Sequence, residues 1–507
     1  MPTPNISKSK YIKYCQCAKA LWLKVNNPDA AEEDSQAEDR LAAGQEVGAL
    51  ARGLFGEYTN VTTLKGDGSL DIAAMIKSTQ DCINSGVDVI CEASFTANGC
   101  YCATDILRKT ANGYAIYEVK SSTSKEEDDS KGIDEYLSDI AYQKWVLTQC
   151  GVNVTGTYLI RINSGYVRGE VLDIEELFNI QEIEDDILQN EYCKIPHNIK
   201  DIQNTLSSNT EPDIDLCEGC NKPRKCEFFK YCTRNITSPS VFDLYRAQFG
   251  KKLKLYKNGK ISFEDLRTKS ELTEFQHMQV ECTLQNQSYI NRNEIKFFLS
   301  QLSYPLYFLD FETLQQVIPQ YPGTKPYQQI PFQYSLHYIE HEGGELKHKE
   351  FLGDSGTDTR RALAERLCED IPMNVCVTAY NKSFECTRIK ELAKAFPDLS
   401  GHLLNIQEHI VDLLDPFSKG HYYVPAMGSS TSIKHVLPAL CPNDPSLDYH
   451  NLDSRCQNGA NAMTIFPKIK DMAPEEAAAS REALLRYCEL DTYAMVKVWE
   501  KLVTSSS

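Results

Sequence analysis

The sequence has no apolar run approaching the roughly 18 residues a membrane span requires. Its N-terminus, Met-Pro-Thr-Pro-Asn-Ile-Ser-Lys, has none of the apolar stretch that heads a secretory leader. The expectation is therefore a cytoplasmic protein with no membrane partner. No glycine-rich loop ending in Lys-Ser/Thr is visible, so a helicase motor is not expected. There are no internal repeats and little low-complexity sequence. Positive charge is also short: 53 Lys and Arg face 71 Asp and Glu, for a formal net charge of -18. That argues against a passive nucleic-acid coat, because such binding comes mostly from Lys and Arg at phosphates. It does not exclude a nuclease, since a cation bound among carboxylates reverses the local field.

What is present describes a folded chain. Hydrophobic residues are 42% and charged residues 24% of the 507 positions, enough for two or three domains. The 19 cysteines are an odd number, and disulfides are not expected in a reducing compartment. Cys91, Cys150, Cys376 and Cys441 stand singly in apolar contexts and are expected in the core. Cys217, Cys220, Cys226 and Cys232 instead crowd together, a density that suggests a metal or cluster site.

Period changes divide the chain. Residues 26 to 40 are acidic and polar and are expected near a loop. Residues 41 to 55 carry apolar positions at helical spacing. Residues 87 to 121 hold short β-rich runs, with Asn112-Gly113 as a hairpin signal between the last two. A helix over 134 to 150 and a strand over 155 to 162 follow. Residues 240 to 300 read as polar and helical. Strands near 305 to 311, 330 to 340 and 346 to 352, a helix at 358 to 369 and a strand at 374 to 380 come next. The last helix covers about 475 to 502. The predicted order is α/β, with an antiparallel hairpin at the front of the second sheet. The predicted domains are 1–238, a helical connector at 239–302, and 303–507.

In Tyr307-Phe-Leu-Asp-Phe-Glu-Thr313, Asp310 and Glu312 lie two apart on a strand and so share a face. An acidic pair on a strand is ordinarily a solvated face. The apolar flanks Tyr307, Phe308, Leu309 and Phe311 argue otherwise, because buried carboxylates need partners or metals. Such carboxylates can hold two ions that clamp a phosphodiester. Tyr487 and Asp491 stand four apart, on one helix face. These residues resemble the DnaQ-like (DEDD) exonucleases of the RNase H fold, in the subgroup with a Tyr before the last Asp. Asp310 and Glu312 match the first motif, and Tyr487 and Asp491 match the third. Ala379-Tyr-Asn-Lys-Ser-Phe-Glu385 has the lead-in of the middle motif but ends in Glu385 where the family has Asp. Asp412 is a supporting carboxylate candidate, and Ser432-Ile-Lys-His-Val-Leu437 resembles the helix start before the last motif. The resemblance covers about residues 303 to 502.

A second constellation lies upstream. Asp105 sits in one strand, while Glu118 and Lys120 share a face of the next. Two acids can bind a divalent ion, and the Lys can polarise water and stabilise transition-state charge. Taken alone, such charges suit an ordinary hairpin. The run resembles the PD-(D/E)xK motif, and Tyr117-Glu-Val-Lys-Ser-Ser-Thr123 is close to its RecB-like form. Gln143 matches the Gln that RecB-like nucleases carry on the following helix. Glu46 stands where that family often has an additional acid or His, and Glu92 is another acidic neighbour.

The cysteines resemble those of the CRISPR-associated RecB-like exonucleases and AddB-type helicase–nucleases, which bracket this fold with a [4Fe–4S] cluster. Cys17, in Tyr14-Cys-Gln-Cys-Ala-Lys-Ala-Leu-Trp22, resembles the first ligand. Cys226 and Cys232 resemble the last two, with Cys220 favoured over Cys217 for the remaining one. A local zinc knuckle over 217 to 232 is the rival, because thiolates suit both.

The whole chain resembles a bacterial family that fuses a RecB-like nuclease with a DnaQ-like exonuclease. The implied activity is Mg²⁺- or Mn²⁺-dependent hydrolysis of DNA at ends or single strands, in repair, recombination or defence. A C-terminal module reduced to a nucleic-acid clamp, and RNA as substrate, are the alternatives.

Overall fold

The computed structural model describes residues 6–34, 36–125, 132–268 and 271–506. The first five residues, read above for a leader, and residue 35 of the acidic stretch lie outside them. The chain divides into two compact units: Met1–Asn235 with Gln316–Gln328, and Ile236–Gln315 with Gln329–Ser507. No helix among the described residues is long and apolar enough to cross a membrane.

The first unit opens with β1 (Ile6–Ser7), α1 (Lys8–Gln16), α2 (Ala18–Asn26), α3 (Ala37–Ala51) and β2 (Thr59–Asn60). A single 3-10 turn over Arg52–Phe55 completes the helix expected over 41 to 55. Then come α4 (Ile72–Ser85), β3 (Val89–Ala97), β4 (Cys100–Lys109), β5 (Tyr114–Ser124), α5 (Asp134–Gln149) and β6 (Val154–Asn163). The unit continues through α6 (Ile174–Leu177), β7 (Phe178–Glu182), α7 (Asp185–Ser207) and α8 (Phe229–Cys232). The Asp71 carboxylate accepts the Ala74 amide at 3.0 Å and so caps α4, which ends on left-handed Gly86.

The sheet runs β2-β3-β4-β5-β6-β7, with β1 alongside β4. β3, β4 and β5 are mutually antiparallel, whereas β5 and β6 are parallel. Helix α5 packs on one face through Ile140, Tyr142 and Val146, and α3 on the other through Val47 and Ala51. The tight hairpin lies at Asn98-Gly99, where both residues have positive φ (53° and 76°). Those angles suit a two-residue turn with the twist of its strands. Asn112-Gly113 forms a longer connection instead, without positive φ. Cys91 and Cys376 are buried as expected. Cys150 is not: it caps the C-terminus of α5 and is exposed, because the apolar stripe ends a turn earlier at Val146 and Leu147.

The second unit begins with helices α9 (Phe249–Lys257), α10 (Phe263–Leu266), α11 (Glu274–Gln285) and α12 (Arg292–Leu299), with β8 (Tyr289–Ile290) between the last two. Its main strands are β9 (Leu306–Gln315), β10 (Gln329–Ile339) and β11 (Leu346–Leu352). Next come α13 (Arg360–Asp370), β12 (Cys376–Ala379), α14 (Ser383–Ala395), α15 (Ser400–Glu408) and β13 (Ile410–Asp412). The chain finishes with α16 (Asp415–Ser418), β14 (Tyr422–Tyr423), α17 (Ile433–Leu440), α18 (Gly459–Ile465) and α19 (Pro474–Ser506).

Five strands pair in the order β11-β10-β9-β12-β13. β10 is antiparallel to both neighbours, while β9, β12 and β13 are parallel. Alternation along β9 sends Tyr307, Leu309 and Phe311 into a core with α13, α14 and α15. The opposite set, Phe308, Asp310 and Glu312, therefore faces the side where α17 and α19 pack.

Candidate functional site

In the second unit, four carboxylates from three elements converge. Asp310 and Glu312 come from β9, Glu385 from the first turn of α14, and Asp491 from the middle of α19. Glu312, Glu385 and Asp491 are buried. Ligand atoms of Asp310, Glu312 and Cys488 lie within 4.8 Å of one another. Glu385 Oε2 is buried with no hydrogen-bond partner among the described residues. Its helix is held in place from below. Asp412 accepts the amides of Asn381 (2.9 Å), Lys382 (3.1 Å) and Leu414 (3.0 Å), so it braces the loop before α14.

The electrostatics follow from crowding. Burial, then the charges of Asp491, Glu312 and Glu385, hold the Asp310 carboxyl well above the usual range, against Lys434. Burial, then Asp491, pushes Glu312 up to about 8. Burial, then Asp412, pushes Glu385 up to about 8. Asp491 is raised by burial, opposed by hydrogen bonds from Tyr449 and Tyr487 and by Lys434. Like charges gathered out of water favour either protons or a divalent cation.

Lys434 and Tyr449 complete the site, and neither was singled out from sequence. Lys434 Nζ, from the first turn of α17, donates to the Tyr487 hydroxyl at 3.1 Å. It also lies over the rings of Tyr449 and Tyr487, at 5.0 and 5.1 Å from their centroids. Tyr449 donates to Asp491 Oδ1 at 2.6 Å. Lys434 and Tyr449 also line a cavity of about 790 Å³ with His450, Gln457 and Asn458. Lys434 lies within the stretch quoted above as a helix start. Tyr449 had no sequence signal, because it lies in an irregular segment between α17 and α18.

A pH dependence follows. Glu312 and Glu385 have folded values of about 8, well above an ordinary carboxyl. Such groups favour the fold while protonated, so metal-free stability falls as pH rises from about 4.5 through the folded value. A bound cation offsets the repulsion that appears. The melting-temperature difference between Mn²⁺ and chelator is expected to widen from about pH 6 to about pH 9. A difference independent of pH would contradict a metal site at these carboxylates.

In the first unit, Asp105 lies on β4, Glu118 and Lys120 on β5, and Gln143 on α5. Gln143 Nε2 donates to Glu118 Oε2 at 2.6 Å, and its own Oε1 is buried without a partner among the described residues. Lys120 Nζ reaches Glu118 Oε1 at 2.5 Å and Asp139 Oδ2 at 2.8 Å. Asp105 Oδ2 accepts the Val119 amide at 2.7 Å. Burial raises the Asp105 carboxyl, against Lys8 and Lys120. Burial and Asp105 push Glu118 up, but Lys120 and Lys8 more than reverse this and hold it below its ordinary value.

Two partners escaped the sequence reading. Lys8 Nζ, from the start of α1, lies 2.9 Å from Glu118 and 3.2 Å from Asp139. Asp139 also accepts from Gln143 at 3.0 Å, one turn along the same helix. The i, i+4 spacing of Asp139 and Gln143 was the available signal. Glu92 pairs with Arg52 at 3.0 Å, and its charge adds to those that raise the Asp105 carboxyl. Glu46 is on the exposed side of α3, and no described hydrogen bond or ion pair joins it to Asp105 or Glu118.

Cys17, at the junction of α1 and α2, lines one small enclosed cavity with Cys220, Cys226 and Cys232. Cys217 is outside that lining, and its amide donates to Cys220 Sγ at 3.4 Å. Gly219 lets the cysteine loop approach the end of α1: a Cβ there would sit 2.1 Å from the Gln16 carbonyl oxygen. Burial raises the thiols of Cys220, Cys226 and Cys232, Cys220 to about 12. No three of these sulfurs lie within 4.8 Å of one another. One tetrahedral zinc, at about 2.3 Å from each sulfur, needs them about 3.8 Å apart. Thiolates suit zinc and iron–sulfur clusters alike.

A domain of unknown function, DUF2779, matches residues 307–432. The match begins just before Asp310, includes Glu312, Glu385 and Asp412, and stops short of Lys434, Tyr487 and Asp491. The chain is also similar to the uncharacterized protein UU173 of Ureaplasma parvum serovar 3, at 25% identity over 249 residues. That alignment covers 43% of this chain and 35% of the relative, so the chain spans about a third of the relative's length.

Proposed function

We propose that the protein is a metal-dependent nuclease with two hydrolytic centres, acting on DNA ends or single strands. The observation that carries this reading is the buried carboxylate cage at Asp310, Glu312, Glu385 and Asp491, with an unpartnered oxygen on Glu385. Four such groups gain nothing from being buried together unless a cation joins them. The strand order β11-β10-β9-β12-β13, with β10 reversed, supports an RNase H-like exonuclease domain. The order α4-β3-β4-β5-α5-β6 supports a PD-(D/E)xK nuclease domain in the first unit.

Asp310, Glu312, Glu385 and Asp491 would hold Mg²⁺ or Mn²⁺ in one centre, and Asp105 and Glu118 in the other. The ion supplies a water activated for attack and neutralises charge on the phosphate. The Tyr487 hydroxyl, positioned by Lys434, orients that water, and the Lys434 ammonium offers positive charge to the phosphate. In the first unit, Lys120 plays the cationic role, while Gln143 fixes the Glu118 carboxylate and leaves its own carbonyl free for the water. Cys17, Cys220, Cys226 and Cys232 would hold a [4Fe–4S] cluster that ties the ends of the first unit together.

The test is Mn²⁺-dependent nuclease activity of Asp310→Ala and Glu118→Ala, made separately, on labelled single-stranded and duplex DNA. Each change is expected to remove one of two activities. If neither lowers the activity of the pure protein, both centres are misassigned. Equal cleavage of RNA would move the substrate class without touching the chemistry.

A further inference from the structure

A third group of ligands stands in the second unit, on β10, β11 and α19. His337 on β10 and His348 on β11 are direct cross-strand partners, with ring centroids 4.5 Å apart. Glu489, on α19, faces them. One ligand atom from each of the three lies within 4.8 Å of the others. They line a cavity of about 350 Å³ with Arg486 and Tyr493. We propose that His337, His348 and Glu489 form a separate site for a nitrogen-preferring divalent ion such as Zn²⁺, with its remaining position open to that cavity.

The hydrogen bonds behind the rings set this up. Thr492 Oγ1 lies 2.7 Å from His337 Nδ1, 2.7 Å from Ser335 Oγ and 3.1 Å from the Glu489 carbonyl. Ser335 Oγ in turn lies 2.9 Å from His348 Nε2. Each imidazole is therefore tied through one ring nitrogen to a hydroxyl oxygen, which can accept from an N–H there. The other ring nitrogens, His337 Nε2 and His348 Nδ1, have no hydrogen-bond partner among the described residues. Metal-bound histidines are held in this way, with the far N–H donated to an oxygen. Arg486 Nη1 holds Glu489 Oε2 at 2.9 Å and leaves Oε1 available.

Two nitrogens and one carboxylate suit Zn²⁺, whereas Mg²⁺ prefers oxygen ligands alone. The site is thus distinct in kind from the carboxylate cage, although Ser335 pairs with Asp310 across the sheet and Thr492 follows Asp491. A bound ion would pin α19 to the β10–β11 hairpin beside the turn that carries Asp491. This inference does not rest on the nuclease reading.

The experiment is Zn²⁺ titration of the full-length, chelator-treated and dialysed protein, with the cysteine-bound cofactor intact and excess Mg²⁺ present to occupy the carboxylates. The wild-type chain is expected to bind one more equivalent of Zn²⁺ than His348→Ala. Glu489→Gln, on a partly exposed helix position, is expected to show the same loss. Co²⁺ in place of Zn²⁺ should give visible ligand-field bands that both variants abolish. Thr492→Val should weaken binding by roughly 10–100-fold through the loss of ring positioning. Equal stoichiometry and identical Co²⁺ spectra in wild type, His348→Ala and Glu489→Gln would overturn the proposal.

Discussion

Asp310→Asn is expected to cost at least about 10³-fold in Mn²⁺-dependent exonuclease activity while raising the melting temperature of the metal-free protein. The activity loss follows from the metal's role. Charge stabilisation by a bound ion is worth several kcal/mol, and each 1.4 kcal/mol is about tenfold in rate. The gain in stability follows from the crowding. Asp310 is pushed above its usual range by burial and by Asp491, Glu312 and Glu385. Asparagine keeps the shape and removes one repelling charge. Thermal melts with chelator and with Mn²⁺ separate the two effects. The variant should melt higher than wild type in chelator and gain less from Mn²⁺. A variant that melts lower in chelator would mean that Asp310 supports the fold as an ordinary core polar group and not as a ligand.

Cys17→Ser is expected to abolish the absorbance of the proposed iron–sulfur cluster and to lower the melting temperature of the first unit by about 10–20 °C. Cys17 lies some 200 residues from its partners at Cys220, Cys226 and Cys232. Cross-linking the unfolded chain over such a span is worth about 5 kcal/mol on the chain-entropy account. Ligand binding that exists only in the folded chain adds to folding free energy. Cys217→Ser is the control: it lies outside the cavity lining and should change neither the absorbance nor the melt. Zinc in purified protein, with Cys217 required and Cys17 dispensable, would restore the local knuckle.

The contrast between these sites shows what a sequence carries. Asp310 and Glu312 were legible because strand alternation alone puts them on one face. Glu385 was legible from its spacing after Asn381, although not the Asp412 brace that holds its loop. Lys434 and Tyr449 were not, because the placement of α17 and of the segment before α18 depends on packing across the sheet. Lys8 and Asp139 escaped for the same reason: Lys8 comes from the far end of the chain. Asn112-Gly113 drew attention as a turn while Asn98-Gly99 made the tighter one, since both pairs carry the same local signal. His337 and His348 are unremarkable single residues until the hairpin register sets them opposite each other.

The first unit borrows two core side chains from late in the chain. Val317 and Ile318, in the connection between β9 and β10, are buried with Val47, Ala51 and Ile160. During synthesis, a ribosome would release residues 6–235 on the order of ten seconds before these two emerge. For that interval the unit would present an uncovered apolar surface, and a gene fragment ending near residue 235 would present it permanently. A soluble version of the first unit should therefore need the 316–328 segment grafted on or supplied as a peptide.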